Sequence, residues 1–522
     1  MGKMQQNDGY LRQQKISSRV SQLLDAYPLI QQPSQGDNKG TRPFYYEYGT
    51  AGFRYPSYLL PPVMVRMGLF ASLRSYVFNA APIGVMITAS HNPERDNGIK
   101  IADIGYGRML HDLRWENFAV QLVNASTTHD ALQIIQCILE EAMGLQLCPK
   151  QLNSCPSAAS ASASAVIHVG RDTRSSSLHL ATLFMSAAKS LFVDEDTVQI
   201  IDHGVVTTPM LHFYTMYANS EALPSSLFSA NLVLQQRAAT EEGYFTIIAN
   251  AYYLLLQTKL PSQKGTSNSS EGIVLSSSSS LPLPARKQVI IDCSCGVGFL
   301  ILERFINYLE QKISLTGQKA LPTKFIIVNG PDDGPLNANC GAEYVQKNQL
   351  PPKLFRGRNS DEISSSARQS LWCSLDGDAD RIVFHYHHPN NSTDANRKSN
   401  NILTTSMEQQ HRNNNHNAFC LLDGDKIAAL IALFIKEELE HLKLFAEKSY
   451  QQQTPNGLDH KITPRFGVVQ TAYANGNATS FLRVCFSCIE SGIYSCFFLL
   501  RTCIYKCNLY RCCPNKKQCV RS

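Results

Sequence analysis

Ile83-Gly-Val-Met-Ile-Thr88-Ala89-Ser90-His91-Asn92-Pro93 is the stretch on which the fold turns. Its first six residues are an apolar run of strand length, which reads as a strand buried on both faces. The run breaks off in an Asn-Pro turn, so Ser90 falls on a loop at the strand's C-terminal edge, where α/β sheets hold their ligands. A serine in that position is a candidate nucleophile or phosphate carrier. Two basic groups, His91 and Lys100, follow it closely. The plainer alternative is an Asn-Pro turn capped by a serine.

Outward from this segment, short apolar runs alternate with helix-like segments. Further strands are expected at 165–169, 198–201, 288–292, 325–329 and 466–470, and helices at 62–76, 178–188, 298–311 and 426–443. Strands alternating with helices argue for α/β domains. Three stretches poor in large apolar residues interrupt the pattern: 154–165 (serine and alanine), 262–280 (serine) and 388–417 (asparagine and histidine). They read as surface insertions.

A chain of 522 residues with 43% apolar and 17% charged residues is expected to form several globular domains with real cores. Its net charge of +6 suggests a polyanion partner, but the distribution of charge excludes it. From Val484 onward there are six basic residues (Arg501, Lys506, Arg511, Lys516, Lys517, Arg521) and one acid, Glu490, so the tail carries +5 and the body about +1. A near-neutral body has no electrostatic footprint for nucleic acid. Eight of the sixteen cysteines also lie in 485–522, and the rest have no repeating spacing. With a polar N-terminus and no apolar run of about 18 residues, neither a secretory leader nor a membrane span is expected, and the location expected is cytoplasmic.

The second informative motif is Leu375-Asp376-Gly-Asp378-Ala-Asp380-Arg381. Three carboxylates at alternate positions repel one another unless a cation sits among them, and hard oxygen ligands suit a divalent ion such as Mg²⁺. An EF-hand loop would need glycine and glutamate where Arg381 and His387 stand, so that reading fails. A solvated acidic turn is the bland rival. Asp423-Gly-Asp425-Lys426 has only two acids and opens a helix, which makes Asp423 an N-cap. Gly49-Thr-Ala-Gly-Phe-Arg54 is a glycine turn able to admit a phosphate beside an arginine. In Gly170-Arg171-Asp172-Thr173-Arg174, Arg171 and Asp172 are open to a simple structural ion pair. His179, His203 and His212 are assigned no role.

Taken together and in this order, these motifs resemble the α-D-phosphohexomutase superfamily. Because the Ser90 loop precedes Gly170–Arg171–Asp172, the resemblance is to its phosphoacetylglucosamine mutase branch. Thr207-Thr-Pro209, Leu336-Asn-Ala-Asn-Cys-Gly-Ala342, Leu422-Asp-Gly-Asp-Lys426 and the stretch 468–476 carry it further, so that it covers about 48–483. The resemblance implies a multidomain α/β architecture around a cleft. Its domains are expected at 1–220 (phosphoserine loop), 221–398 (metal-binding loop) and 399–483 (partial sugar-binding domain). It further implies that Ser90 is the phosphoserine, that Asp376, Asp378 and Asp380 with Ser90 hold one Mg²⁺, and that Lys100 is the general base. Arg54, His91 and Arg381 would line the transfer site. The implied reaction interconverts N-acetylglucosamine 6-phosphate and 1-phosphate through a sugar 1,6-bisphosphate, toward UDP-N-acetylglucosamine. The implied partners are these sugar phosphates, with no nucleic acid and no membrane, and a monomer is expected. A glucose or mannose phosphate mutase is the near neighbour.

Beyond Arg483 the resemblance stops. Neither the family's glutamate-containing sugar loop nor its fourth, phosphate-gripping domain follows, and 484–522 reads as an aberrant Cys-rich tail, such as translated non-coding sequence. Cys485-x-x-Cys488 and Cys503-x-x-x-Cys507 are loosely spaced like a zinc ribbon. The expectation is therefore three α/β domains with the fourth missing, and little or no turnover from this chain alone.

Overall fold

The computed structural model describes residues 18–33, 41–50, 52–144, 165–192, 197–219, 239–257, 287–315, 321–355, 371–387, 419–450 and 476–487. The expected insertions 262–280 and 388–417, nearly all of 154–165, the strand at 466–470, the stretch 468–475, and Cys488, Cys503 and Cys507 lie outside these residues. The chain divides into two compact units, Met1–Phe419 and Cys420–Ser522.

In the first unit, β1 (Gln31–Pro33) and β2 (Thr41–Pro43) form a small antiparallel ribbon. Next come β3 (Phe53–Pro56), β4 (Ile83–Ile87), β5 (Asp96–Ala102), β6 (Ala165–Arg171) and β7 (Val198–Val205), a five-stranded sheet in the order β3-β5-β4-β6-β7. β4, β6 and β7 run parallel, whereas β5 lies antiparallel to both β4 and β3. All five residues of β4 are buried, as its unbroken apolar run requires. Because β4 pairs with β6 in parallel through Ile87 opposite Arg171, the Ser90 loop and the Gly170–Arg174 loop emerge at the same sheet edge.

Helices α1 (Pro61–Val77), α2 (Leu113–Val123), α3 (Thr128–Gly144), α4 (Ser177–Ser190) and α5 (Thr208–Ala218) accompany this sheet. α1 is buried nearly all round, the pattern of a core helix rather than a surface one. It packs on α4 so closely that a Cβ on Gly68 would stand 2.5 Å from Phe184 O and 2.9 Å from Ala187 Cβ.

A second sheet in the same unit uses β8 (Lys287–Asp292), β9 (Thr323–Val328), β10 (Leu371–Leu375) and β11 (Ile382–His387), side by side in the order β11-β10-β8-β9. β8 is parallel to β9 and β10, while β10 and β11 form an antiparallel hairpin whose loop is the aspartate-rich 376–381. Helices α6 (Glu241–Gln257), α7 (Val297–Leu315) and α8 (Gly341–Asn348) accompany this sheet. Mixed rather than purely parallel sheets are the main departure from a simple alternation of strand and helix.

The second unit contains α9 (Gly424–Tyr450) and α10 (Gly476–Ser487), preceded by β12 (Phe419–Leu422) at its boundary. Asp423 Oδ1 accepts from the Lys426 N–H at 3.1 Å, the capping role its position suggested. Among the described residues no helix is long and apolar enough to cross a membrane.

His168 of β6 and His203 of β7 share one hydrogen bond, Nδ1 to Nε2 at 2.8 Å, and His203 stacks on Tyr214. Burial pushes both imidazoles down to about 4, and for His168 the neighbouring His203 adds to the effect.

Two outcomes follow for stability. Gly68→Ala forces α1 and α4 apart, so urea unfolding is expected to show a loss of about 1–3 kcal/mol; an unchanged midpoint contradicts the close crossing. The histidine pair is neutral in the folded state down to about pH 4 but titrates near 6.5 when unfolded. Its contribution is complete above pH 6.5 and falls as pH drops toward 4, with a limiting slope of about 1.4 kcal/mol per pH unit and site. His168→Phe should flatten that slope in unfolding series run between pH 7 and 4.5; parallel curves for the two proteins would exclude it.

Candidate active site

Ser90 is 2% exposed and its backbone sits in the left-handed region, with φ of 49°. For a residue with a Cβ that conformation costs on the order of 1–2 kcal/mol, so the surroundings must impose it. They do so from two sides. The Ser90 N–H donates to Thr88 Oγ1 at 3.0 Å, and the Thr88 hydroxyl donates to Asp172 Oδ2 at 2.7 Å. The guanidinium of Arg174 donates to the carbonyls of Ser90 and Asn92, both at 3.0 Å. From the segment between β9 (Thr323–Val328) and α8, Asn337 Nδ2 donates to the same two carbonyls at 2.8 and 3.0 Å. Asn337 is itself held by Ser294 Oγ, which donates to its Oδ1 at 2.6 Å.

Arg171 and Asp172 do not form the ion pair open to them in the sequence. Arg171 pairs with Asp202 at 3.1 Å, and Asp172 pairs with Arg174 at 3.0 Å. Arg171 is the last residue of β6 and faces β7, whereas Asp172 turns inward and is buried with Arg174 under the Ser90 loop.

The aspartate-rich loop meets Ser90 directly. Carboxylate oxygens of Asp376, Asp378 and Asp380 lie within 4.8 Å of one another. Asp378, fully buried, is the hub: its Oδ2 accepts from Lys100 Nζ at 2.6 Å, Thr208 Oγ1 at 2.6 Å and Ser90 Oγ at 3.2 Å. Lys100 Nζ also donates to Asp380 Oδ2 at 2.7 Å. Asp376 accepts from the N–H groups of Asp380 and Arg381 and from Arg381 Nε at 3.0 Å. Arg381 reaches on to Glu343 at 2.8 Å. The loop can lie this close because a Cβ at Gly377 would meet Ser90 O at 2.7 Å.

The electrostatics follow from burial and these partners. Burial, with the charges of Asp378 and Asp380, pushes the Asp376 carboxyl well above its usual range. Burial pushes Asp378 the same way, but the Lys100 ammonium and the hydroxyls of Thr208 and Ser90 outweigh it and hold the carboxyl low. Lys100 is buried too, yet Asp378 and Asp380 keep it charged. Burial and then the Arg381 charge push His91 down to about 4.

A cavity of about 350 Å³ opens onto these groups, lined by Ser90, Asp380 and Arg381 together with Arg54, His91, Met109, Thr208 and His212. Three atoms here are buried without a hydrogen-bond partner: His91 Nδ1, Arg381 Nη2 and Asp378 Oδ1. An orphaned carboxylate oxygen inside a cluster of three aspartates is costly unless a ligand satisfies it. The donor set is all hard oxygen, so the residues fit a Mg²⁺-like ion.

The fold thus brings together Ser90, Lys100, Asp376, Asp378, Asp380, Arg54, His91 and Arg381. Sequence reasoning missed Asp172, Arg174, Asn337, Glu343 and Thr208 as supports, and His212 as a cavity residue whose Nδ1 is tied to the carbonyl of Gly107. Asp172, Arg174, Asn337 and Thr208 did lie inside quoted motifs, and that was the signal available. No periodicity marks Glu343 or His212.

Residues 69–111 match the family model described as Phosphoglucomutase/phosphomannomutase, alpha/beta/alpha domain I. Residues 423–496 match Phosphoacetylglucosamine mutase AMG1, domain III. The phosphoacetylglucosamine mutase of Saccharomyces cerevisiae is 31% identical over 88% of this chain and 65% of its own length. That of Candida albicans is 30% identical over 92% of this chain and 68% of its own length. The structure of the Aspergillus fumigatus N-acetylphosphoglucosamine mutase in complex with GlcNAc-6P and magnesium is 27% identical, with a TM-score of 0.58 over 90% of this chain and 64% of that one. The chain therefore spans about two thirds of the length of the relatives it matches. On the motifs, the fold and these likenesses, it belongs to the phosphoacetylglucosamine mutase family of the α-D-phosphohexomutase superfamily.

Proposed function

We propose that this chain carries the phosphoryl-transfer centre of a phosphoacetylglucosamine mutase, with Ser90 as the phosphoryl carrier. The observation that bears most weight is the position of the Ser90 hydroxyl. It is held in a strained loop at 3.2 Å from Asp378 Oδ2, on a cavity lined by Arg54, His91 and Arg381. The Aspergillus fumigatus relative, in complex with GlcNAc-6P and magnesium, supports the same substrate class here.

Phosphoryl transfer needs alignment and charge neutralisation more than covalent help. Asp376, Asp378 and Asp380, with Ser90, would hold one Mg²⁺, whose chemistry is to neutralise charge on the transferring group. Arg54 and the unfilled Nη2 of Arg381 offer donors to phosphoryl oxygens entering the cavity. His91, neutral above about pH 4, adds a donor or acceptor without adding charge.

In the forward step the P–O bond to Ser90 Oγ breaks and a P–O bond to the sugar hydroxyl forms, giving the 1,6-bisphosphate. The proton of the sugar hydroxyl ends on Ser90 Oγ. Lys100, hydrogen-bonded to the same Asp378 oxygen as Ser90, is the proton carrier of this exchange. Its ammonium form is the acid; its amine form, reached once Asp378 and Asp380 are otherwise neutralised, is the base. Return of the second phosphoryl group to Ser90 reverses the same bookkeeping and releases the other monophosphate, on the route to UDP-N-acetylglucosamine.

The half-reaction is the sharper test, because it needs only residues brought together here. Incubated with a sugar 1,6-bisphosphate and Mg²⁺, the chain is expected to take up one phosphoryl group on the peptide containing Ser90, read by mass spectrometry. Ser90→Ala should take up none, and Lys100→Met should slow uptake by about 10²- to 10⁴-fold. Label on another residue, or equal uptake by Ser90→Ala, excludes Ser90 as the carrier. Faster uptake with glucose than with N-acetylglucosamine bisphosphate would move the assignment to a glucose phosphate mutase.

A further inference from the structure

The hydroxyl of Thr208 is placed to fix which oxygen of Asp378 faces the cation site. Thr208 is the first residue of α5 and is 3% exposed. It touches Asp378 twice: its N–H donates to the Asp378 carbonyl at 3.1 Å, and its Oγ1 donates to Oδ2 at 2.6 Å. The helix end explains the first contact. Thr207 Oγ1 accepts from the Met210 N–H at 3.3 Å, and Pro209 has no N–H. The Thr208 N–H is thus a first-turn donor with no partner inside the helix, and the Asp378 carbonyl satisfies it. The second contact is optional for the helix and specific for the carboxylate.

Three donors converge on Oδ2, and none reaches Oδ1. A carboxylate rotates about its terminal torsion with little intrinsic preference, so the donors decide its orientation. One of them does not last through the chemistry proposed above: a phosphorylated Ser90 has an ester oxygen at Oγ and no proton to donate. Lys100 Nζ is shared between Asp378 and Asp380, at 2.6 and 2.7 Å, whereas the one hydroxyl proton of Thr208 goes to Asp378.

We propose that Thr208 is a positioning residue that locks the Asp378 carboxylate by Oδ2 and so presents Oδ1 to the divalent cation throughout the cycle. This rests on the reading of Ser90 as carrier and of the three aspartates as metal ligands. Partners one step removed from a metal typically change affinity by about 10- to 100-fold when lost.

The experiment is Mn²⁺ binding to the full chain, followed by the electron-spin resonance of the free ion, for wild type, Thr208→Val, Thr208→Ala and Thr208→Ser, with folding checked by circular dichroism. Thr208→Val keeps shape and the backbone hydrogen bond; Thr208→Ala serves if valine is not tolerated. The expected result is affinity weakened about 10- to 100-fold in Val and Ala and restored within a few-fold in Ser, with far-ultraviolet spectra unchanged. Wild-type affinity in a folded Val or Ala variant overturns the role of Thr208 and leaves the metal reading standing. Absence of Mn²⁺ binding in the wild type overturns the metal reading, and this inference with it.

Discussion

A single carboxylate, that of Asp378, is where the two sheets of the first unit and the chemistry of the site meet. Ser90 and Lys100 reach it from the first sheet, Thr208 from the helix that follows β7, and its own loop belongs to the β10–β11 hairpin. Burying a carboxylate is expensive unless it is paired and hydrogen-bonded. Here the Lys100 ammonium at 2.6 Å supplies the charge and the hydroxyls supply the rest. The remaining oxygen, buried and unpartnered, concentrates that cost at the one atom a cation would satisfy.

Around this hub the fold stiffens the reacting group rather than leaving it on a free loop. The left-handed turn at Ser90 is gripped by Arg174 from one side and Asn337 from the other, both on the carbonyls of Ser90 and Asn92. Asp172 anchors Arg174 and, through Thr88, the Ser90 N–H. A catalytic side chain built on loops is only as precise as its supporting partners, and here one support comes from the loop that follows β6 and the other from the segment between β9 and α8.

Much of this was legible in the sequence, and the reasons differ by element. The apolar run of β4 and its abrupt Asn-Pro end located Ser90, because a strand buried on both faces leaves a continuous signal. The alternating aspartates were legible because their charges make no sense together without a counter-ion. β5 was not, although Lys100 lies in it: Asp-Asn-Gly-Ile-Lys-Ile-Ala mixes residues poor in strand propensity with a buried lysine, and tertiary pairing on both sides overrides propensity. Nor was the partner choice of Arg171 and Asp172, since adjacency in sequence says nothing about a carboxylate that turns inward. Thr208 and Asn337 act across sheets, and Glu343 reaches the aspartate loop from α8, all at sequence separations no local pattern encodes.

The most direct test of the central claim is an anomalous difference map from crystals of this chain grown with Mn²⁺. The expected result is one peak among the carboxylates of Asp376, Asp378 and Asp380 beside Ser90, with Asp378 bound through Oδ1 and Thr208 still on Oδ2. A peak elsewhere, or Asp378 turned so that Oδ2 meets the ion and Thr208 is released, would contradict it.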